Sequence, residues 1–142
     1  MKIVLDTNVL IAAFITRGSC NELLEYCAVH HTIVLSKGIL DEFRDVLVRT
    51  FGFTVGEARA AARVLRSRAR IVTSLPLQQP VCRDPDDDLI LATAAAGRCA
   101  VIITGDKDLT DLNEYKGIRI LNPPDFWRFE KAIAEQNPRD DD

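Results

Sequence analysis

Carboxylates follow two short apolar segments of this chain, at the point where each segment ends. Asp6 comes directly after Ile3-Val4-Leu5, and Asp106 comes after the run that begins at Ala100. Short runs rich in β-branched residues are typical of buried strands. Because ligands bind beyond the carboxyl ends of parallel strands, we expect Asp6 and Asp106 to share one site. Carboxylates that converge without basic partners repel one another unless a cation lies between them, so the pattern predicts a site for a hard metal ion.

A third group of acids stands at the start of an apolar segment. It comprises Asp84, Asp86, Asp87 and Asp88, with Pro85 after the first of them. An aspartate followed by proline predicts a helix cap and a first helical residue, and the helix dipole favours negative charge in the first turn. The segment from Leu89 to Ala96 has no charged residue, which predicts a helix that is buried almost all round. We therefore expect these acids to lie near the strand ends.

The segment 37–50 adds one further carboxylate. Its apolar residues recur with the spacing of an amphipathic helix, and they are Ile39, Leu40, Phe43, Val46 and Leu47. At about 100° per residue, Asp41 and Asp45 fall opposite the apolar stripe and Glu42 falls at its edge. We therefore expect Glu42 to face inward, and Asp41 and Asp45 to be ordinary solvated charges. The alternative for Glu42 is a rim position in which the carboxylate reaches solvent.

The elements that must position these acids alternate along the chain. We predict strands at 2–6, 31–35, 70–74, 100–104 and 118–121, and helices at 8–15, 19–29, 37–50, 55–69, 86–97 and 124–134. This alternation predicts one α/β domain with a central, mostly parallel sheet flanked by helices. Asn8 is expected to cap the first helix, and Asp108 to cap a segment that starts at Leu109. Residues 135–142 are expected to form a polar tail.

Composition narrows the class of protein. The chain has 142 residues and a net charge of −3, so its overall charge gives no support to nucleic-acid binding. A local basic stretch could still serve, and it contains Arg59, Arg63, Arg66, Arg68 and Arg70. In this stretch Arg63 and Arg66 are the candidates for holding an RNA backbone. The alternative is a solvated helix face that also carries Glu57.

The cysteines and the hydropathy pattern indicate a cytoplasmic protein. The four cysteines are Cys20, Cys27, Cys82 and Cys99. They lack the spacing of a zinc site, and we interpret them as reduced thiols in the core. The N-terminal segment does not resemble a secretory signal, and no apolar run has the length of a membrane span. We therefore expect no membrane partner.

The chemistry that these residues favour is metal-assisted hydrolysis. Mg²⁺ and Mn²⁺ take oxygen ligands from carboxylates, water and phosphate. Two such ions stabilise both the attacking and the leaving oxygen of a phosphodiester. The chain contains neither a dinucleotide-binding nor a P-loop motif, and no Ser–His or Cys–His pair stands out.

An ordered set of short motifs resembles the PIN-domain family, and within it the VapC-type toxins of toxin–antitoxin pairs. The motifs are Asp6-Thr7-Asn8, Glu42, Asp-Asp-Leu-Ile-Leu-Ala-Thr-Ala at 87–94, and Thr104-Gly105-Asp106. The match covers about residues 1–125. The resemblance implies a three-layer, Rossmann-like PIN domain, here residues 1–134, that acts as a Mg²⁺- or Mn²⁺-dependent ribonuclease. It also implies a homodimer and a cognate antitoxin.

The resemblance also implies roles for individual residues. The catalytic and metal-binding acids would be Asp6, Glu42, Asp87 and Asp106. Asp87 is chosen over Asp88 because the family's acid lies seven residues before the helix alanine, here Ala94. Asn8 would orient a ligand or water, and the accessory acids would be Asp84, Asp88 and Asp108.

Two other functions stay open at this point. A haloacid-dehalogenase-type phosphatase also begins with an aspartate after a strand, but its motif has a second aspartate two residues later, where this chain has Asn8. The other alternative is a non-catalytic RNA- or protein-binding module that has kept the acidic pocket. A metal-dependent nuclease assay and a phosphomonoester assay separate these readings.

Overall fold

The fold is built around one sheet of mostly parallel strands. A computed structural model describes residues 1–16 and 18–136. Within them the strands are β1 Lys2–Leu5, β2 Thr32–Ser36, β3 Ala69–Val72, β4 Val101–Ile103, β5 Glu114–Tyr115 and β6 Ile118–Leu121. They lie in the order β3-β2-β1-β4-β6-β5, and only the β5–β6 pair among them is antiparallel. The predicted mostly parallel α/β sheet is confirmed.

Seven helices connect and cover these strands in the described part of the chain. They are α1 Thr7–Ile15, α2 Ser19–His30, α3 Lys37–Arg49, α4 Val55–Ser67, α5 Pro85–Ala96, α6 Lys107–Thr110 and α7 Pro123–Gln136. The six predicted helices are all present. The last one continues to Gln136, two residues past its predicted end, and residues 137–142 of the predicted tail lie outside the described residues.

Two short elements were not predicted, α6 and β5. β5 has two residues and joins β6 through a tight turn at Lys116 and Gly117, where both φ angles are positive, 50° and 82°. Such turns favour hairpins because their twist matches that of the strands. Elements of two to four residues are too short for a hydrophobic period to reveal them.

The strand order reverses between β1 and β4, and this reversal creates the crevice that holds the acids. From β1 the chain proceeds to β2 and β3 on one side, and from β4 to β6 on the other. Leu5 of β1 is paired in register with Ile103 of β4, and the Asp6 N–H donates to the Ile103 carbonyl at 2.9 Å. The two strands therefore end level, and the residues after them enter the crevice together.

The core fixes the helices that carry the remaining acids. The predicted apolar stripe of α3 faces inward, with Phe43 fully buried and stacked edge-on against Phe14 of α1. In α5 the residues from Ile90 to Ala94 are buried, while Ala95 and Ala96 are exposed, so the predicted burial holds for the middle of the helix. A buried hydrogen bond of 2.8 Å joins Ser36, the residue before α3, to Thr93 of α5.

Two predicted helix caps are wrong. α1 begins at Thr7, so Asp6 rather than Asn8 occupies the cap position, and the Asp6 side chain makes no capping hydrogen bond. α6 begins at Lys107, and the Asp106 carboxylate caps it by accepting the Asp108 N–H at 2.9 Å. In both cases the aspartate that follows the strand also occupies the cap position of the next helix, because the connection between them is very short.

The cysteines agree only in part with the core positions predicted for all four. Cys27 and Cys99 are buried, Cys20 and Cys82 are partly buried, and none of the four forms a disulfide.

Among residues 1–16 and 18–136, every helix is too short or too polar to cross a bilayer.

The packing of α5 against β2 predicts the cost of one substitution. A Cβ added at Gly97 would lie 2.7 Å from Val34 Cγ1, and Val34 is fully buried in β2. We expect Gly97→Ala to lower the free energy of unfolding by about 1–3 kcal/mol, as overpacking does. Gly56→Ala in α4 is the control, since its Cβ meets nothing closer than 3.9 Å. Urea unfolding measures both, and equal stabilities of the two variants would contradict the packing argument.

Candidate functional site

Acidic side chains from four parts of the chain line one pocket of about 220 Å³ at the end of β1 and β4. The acids are Asp6, Glu42, Asp84, Asp86, Asp87 and Asp106. Asn8, Val46 and Arg49 complete the lining. The structure therefore brings together the four residues predicted as catalytic and metal-binding acids, together with Asn8 and Asp84 from the accessory set. Their roles stay a prediction.

A buried threonine links the acids that follow the two central strands. Thr104 is fully buried, and its hydroxyl donates to Asp6 Oδ2 at 2.6 Å. The same hydroxyl oxygen accepts the Asp106 N–H at 2.9 Å. Thr104 thus holds the Asp6 carboxylate and the backbone of Asp106 in a fixed relation. It occurs in the motif Thr104-Gly105-Asp106, but sequence reasoning did not give it a role in the site.

Asp87 supplies a buried acceptor that nothing in the described chain satisfies. It lies in the first turn of α5 and is 6% exposed. Its Oδ2 has no hydrogen-bond partner among the described residues. One oxygen from each of Asp87, Asp106 and Asp108 lies within 4.8 Å of the others. A buried carboxylate oxygen without a partner is costly, and a cation satisfies it. The donor set therefore fits an oxygen-preferring metal ion.

Burial and mutual repulsion hold protons on this cluster. Burial raises the pKa of Glu42 to about 7, and the charges of Asp86 and Asp6 contribute to the rise. Burial also raises the pKa of Asp87 to about 7, with the neighbouring Asp106 as the next cause. The pKa of Asp6 is raised by burial, although its hydrogen bond from Thr104 opposes the shift. Without a cation, the pocket therefore resists full ionisation near neutral pH.

Asp88 and Asp108, two of the predicted accessory acids, do not line the acidic pocket. The Asp88 carboxylate accepts the Cys82 N–H at 2.8 Å and the Val81 N–H at 3.2 Å, so it anchors the preceding loop. Asp108 pairs with Arg83, which donates to its two oxygens at 3.0 and 3.2 Å. Asp108 still lies close to Asp87 and Asp106, whereas Asp88 points to the loop. The remaining accessory acid, Asp84, caps α5 by accepting the Asp86 N–H at 2.9 Å.

Sequence reasoning gave no role in the site to three residues that line the pocket, which are the apolar Val46 and the charged Asp86 and Arg49. Asp86 was treated only as one of several acids in a first helical turn, but it lies beside Glu42. The carboxylates were expected to converge without basic partners, and the presence of Arg49 in the pocket lining shows that this expectation was wrong. A signal for it was present, because Val46 and Arg49 follow Glu42 by four and seven residues and so share its helix face.

The two arginines predicted to bind RNA lie in a different cavity. Arg63 and Arg66 line a groove between α3, α4 and β3, together with Lys37, Leu40, Asp41, Arg44, Arg59, Ala62 and Ile71. Asp41, expected to be an ordinary solvated charge, pairs there with Lys37 and Arg44. α3 separates this basic groove from the acidic pocket, because different residues of the same helix line the two cavities.

Comparison with known protein families gives a match over most of the chain. A family model described as PIN domain matches residues 2–108. The chain belongs to the PIN-domain family. A curated relative of this PIN domain, an uncharacterized protein of Methanocaldococcus jannaschii, is 28% identical over 155 residues, covering 94% of this chain and 95% of the relative.

Solved structures share the fold of this PIN domain. VapBC2 from Rickettsia felis, bound to a promoter DNA fragment, matches with a TM-score of 0.64 and 18% identity, over 86% of this chain and 98% of that chain. A toxin–antitoxin complex from Klebsiella pneumoniae gives 0.59 and 25%, over 85% and 97%. VapC20 of Mycobacterium tuberculosis, described as a sarcin–ricin loop cleaving toxin, gives 0.58 and 16%, over 82% and 98%. The architecture is therefore that of VapC proteins.

The raised pKa values of Glu42 and Asp87 predict how stability depends on pH. Both values are about 7 in the folded protein, against ordinary values of 4.5 and 3.8. The folded state therefore binds more protons between these limits, so this contribution to stability is present in acid and is lost as pH rises through 7. We expect the melting temperature of the metal-free protein to fall between pH 5 and pH 8 more steeply than that of the Glu42→Gln/Asp87→Asn variant.

Thermal melts in excess chelator measure this difference. Added Mn²⁺ should raise the melting temperature of the unsubstituted protein most at pH 8, where the carboxylates are ionised. Parallel pH profiles for the protein and the double variant would contradict the raised pKa values of Glu42 and Asp87.

Proposed function

We propose that this PIN domain is a Mg²⁺- or Mn²⁺-dependent endoribonuclease that hydrolyses RNA phosphodiester bonds and serves as the toxin of a toxin–antitoxin pair. The observation that supports this most is the convergence of Asp6, Glu42, Asp87 and Asp106 in one pocket, with an unsatisfied buried oxygen on Asp87. Family membership adds to it, since the family resemblance implies such an activity.

The four acids are the residues that would hold the metal. When bound, one or two such ions would supply activation of a water and charge stabilisation at a phosphodiester. The protein's own contribution is positioning. Thr104 fixes the Asp6 carboxylate through its hydroxyl, and the start of α5 carries Asp87 to the same place. Asn8 is exposed at the pocket, where its amide can orient a water or a phosphate oxygen.

The basic groove between α3 and α4 is a candidate path for RNA outside the pocket. Five cations line it, and they are Lys37, Arg44, Arg59, Arg63 and Arg66. The acid in the groove, Asp41, is already paired. Such a surface attracts a phosphate backbone even though the whole chain is acidic.

The biological assignment rests on the structural neighbours. Two of them are described as VapBC2 and as a toxin–antitoxin complex, and a third as a toxin that cleaves the sarcin–ricin loop. By analogy, this chain would act in the cytoplasm, pair as a homodimer and bind a cognate antitoxin. A small antitoxin-like reading frame next to the coding sequence would support this assignment, and co-purification of its product with this chain would test it.

Two other functions predict different results. A non-catalytic RNA- or protein-binding module predicts RNA binding without cleavage at any metal concentration. A phosphatase of the haloacid-dehalogenase type predicts hydrolysis of phosphomonoesters, but the position of its second aspartate is held by Asn8.

Asp6→Asn tests the site most simply. Asparagine keeps a carbonyl acceptor for the Thr104 hydroxyl but lacks the anionic oxygen that a hard cation prefers. We expect the variant to lose cleavage of single-stranded RNA in Mn²⁺ or Mg²⁺, and the unsubstituted protein to lose it in excess chelator. In chelator, the variant should melt at the same or a slightly higher temperature, because one charge has left the cluster.

The Asp125→Asn variant is a suitable control, since Asp125 is an exposed aspartate on α7 outside the pocket. Cleavage by Asp6→Asn at the unsubstituted rate, or cleavage that survives chelator, would contradict the proposed function.

The double variant Arg63→Ala/Arg66→Ala tests the basic groove. If both arginines contact phosphates, RNA binding should weaken, and the slope of log affinity against log salt should become shallower by roughly 0.7–1 for each lost contact. Arg128→Ala/Lys131→Ala removes the same charge from exposed positions on α7 and should leave the slope unchanged. Fluorescence anisotropy with labelled RNA measures both slopes. Identical slopes in the two double variants would show that Arg63 and Arg66 lie on a solvated helix face and do not contact RNA.

A further inference from the structure

We propose that Arg49 and Arg83 bind the phosphates on either side of the scissile phosphodiester, so that the pocket selects an oligonucleotide over a mononucleotide. This proposal rests on the proposed ribonuclease function and names the form of its substrate. The two arginines come from different elements: Arg49 lines the acidic pocket, and Arg83 pairs with Asp108, which lies close to Asp87 and Asp106.

Arg49 reaches the pocket from the end of α3. Among the described residues it is the one basic side chain in the pocket lining. Its guanidinium interacts with the charges of Asp86 and Glu42, and it is paired with Asp45 one turn earlier. The arginine side chain is 66% exposed, and that of Asp45 is 53% exposed. An ion pair this exposed adds little to stability, so stability does not account for a cation at this place.

Arg83 reaches the cluster from the loop before α5. Its side chain is 88% exposed and donates to both oxygens of Asp108. An oxygen of Asp108 in turn lies within 4.8 Å of oxygens of Asp87 and Asp106. The loop is held by Asp88, which accepts the N–H groups of Val81 and Cys82. Asp88 therefore acts as a positioning residue, because it fixes the backbone directly before Arg83.

An RNA strand that enters an acidic pocket needs positively charged groups to hold its other phosphates. Phosphates next to the scissile one would lie near acidic residues that include Asp84, Asp86 and Asp108, so their charge would need cations other than the metal that the four acids would hold. Guanidinium groups bind phosphate through two parallel hydrogen bonds. Each arginine is already held by a surface carboxylate, and exchange of that carboxylate for a phosphate keeps the charge of the guanidinium paired.

A comparison of cleavage rates for two substrates of different length tests this assignment. One substrate is a dinucleoside monophosphate, which has only the scissile phosphodiester, and the other is an octanucleotide with the same central step. We expect Arg49→Gln and Arg83→Gln each to lower kcat/KM for the octanucleotide about tenfold more than for the dinucleoside monophosphate, mainly through KM. Arg49→Lys should recover part of the loss, since lysine retains the positive charge but cannot form the two parallel hydrogen bonds of a guanidinium.

Arg128→Gln is the matched control. Arg128 is 75% exposed and pairs with Asp125 on its own helix, as Arg49 does with Asp45, but it lies outside the pocket. It should affect neither substrate. Equal losses on both substrates, or no loss for Arg49→Gln and Arg83→Gln, would overturn the proposal.

A binding measurement separates this proposal from the proposed function. In anisotropy titrations of the octanucleotide with Mn²⁺ present, each glutamine variant should reduce the salt slope by roughly 0.7–1. If the unsubstituted protein binds RNA with these slopes but does not cleave it, the arginine assignment stands and the ribonuclease function fails. If it cleaves RNA while the slopes are unchanged, the arginine assignment fails alone. Absence of both binding and cleavage would overturn both.

Discussion

The burial of mutually repelling carboxylates is the constraint on which the rest of this PIN domain depends. Burial raises the pKa of Glu42 and Asp87 to about 7, and Asp87 Oδ2 is buried without a partner among the described residues. A pocket of this kind costs folding free energy in the absence of a cation. The fold must therefore hold the acids in place by other means. It does so with a rigid central sheet, whose strands β1 and β4 end level, and with the buried Thr104 hydroxyl between Asp6 and Asp106.

The helices around the pocket oppose this repulsion in part. Asp84 caps α5, and the dipole of that helix favours the acids of its first turn. The buried middle of α5 and its Thr93–Ser36 hydrogen bond hold the first turn near the sheet. Arg49 lines the pocket, and Arg83 pairs with Asp108 beside Asp87 and Asp106, so both bring positive charge to the acids. A cation held by the acids and a polyanionic substrate held by the arginines would thus each meet charges of opposite sign.

Sequence reasoning reached the sheet and three of the pocket acids from local rules, and it reached Asp87 through the family resemblance. The ends of the predicted strands gave the positions of Asp6 and Asp106, and the helical periodicity of segment 37–50 gave the inward orientation of Glu42. It failed where long-range contacts decide. Asp88 differs from Asp87 only by one helical step, and the position of the loop at Val81 and Cys82 decides that Asp88 turns away. Asp108 was predicted as a cap, but Asp106 takes that role and Arg83, 25 residues earlier, pairs with Asp108. The separation of the basic groove from the pocket depends on the packing of α4 against α3, which no local pattern encodes.

The central claim, that these carboxylates act together as one metal site, is tested most directly by calorimetric titration of Mn²⁺ into the metal-free protein at pH 7. Two buffers with different ionisation enthalpies reveal whether protons leave on binding. Because Glu42 and Asp87 titrate near this pH and must be ionised to coordinate, we expect saturable binding with a clear release of protons, which declines at pH 9. Absence of saturable binding, or binding heats that are identical in the two buffers, would contradict a metal site formed by these carboxylates.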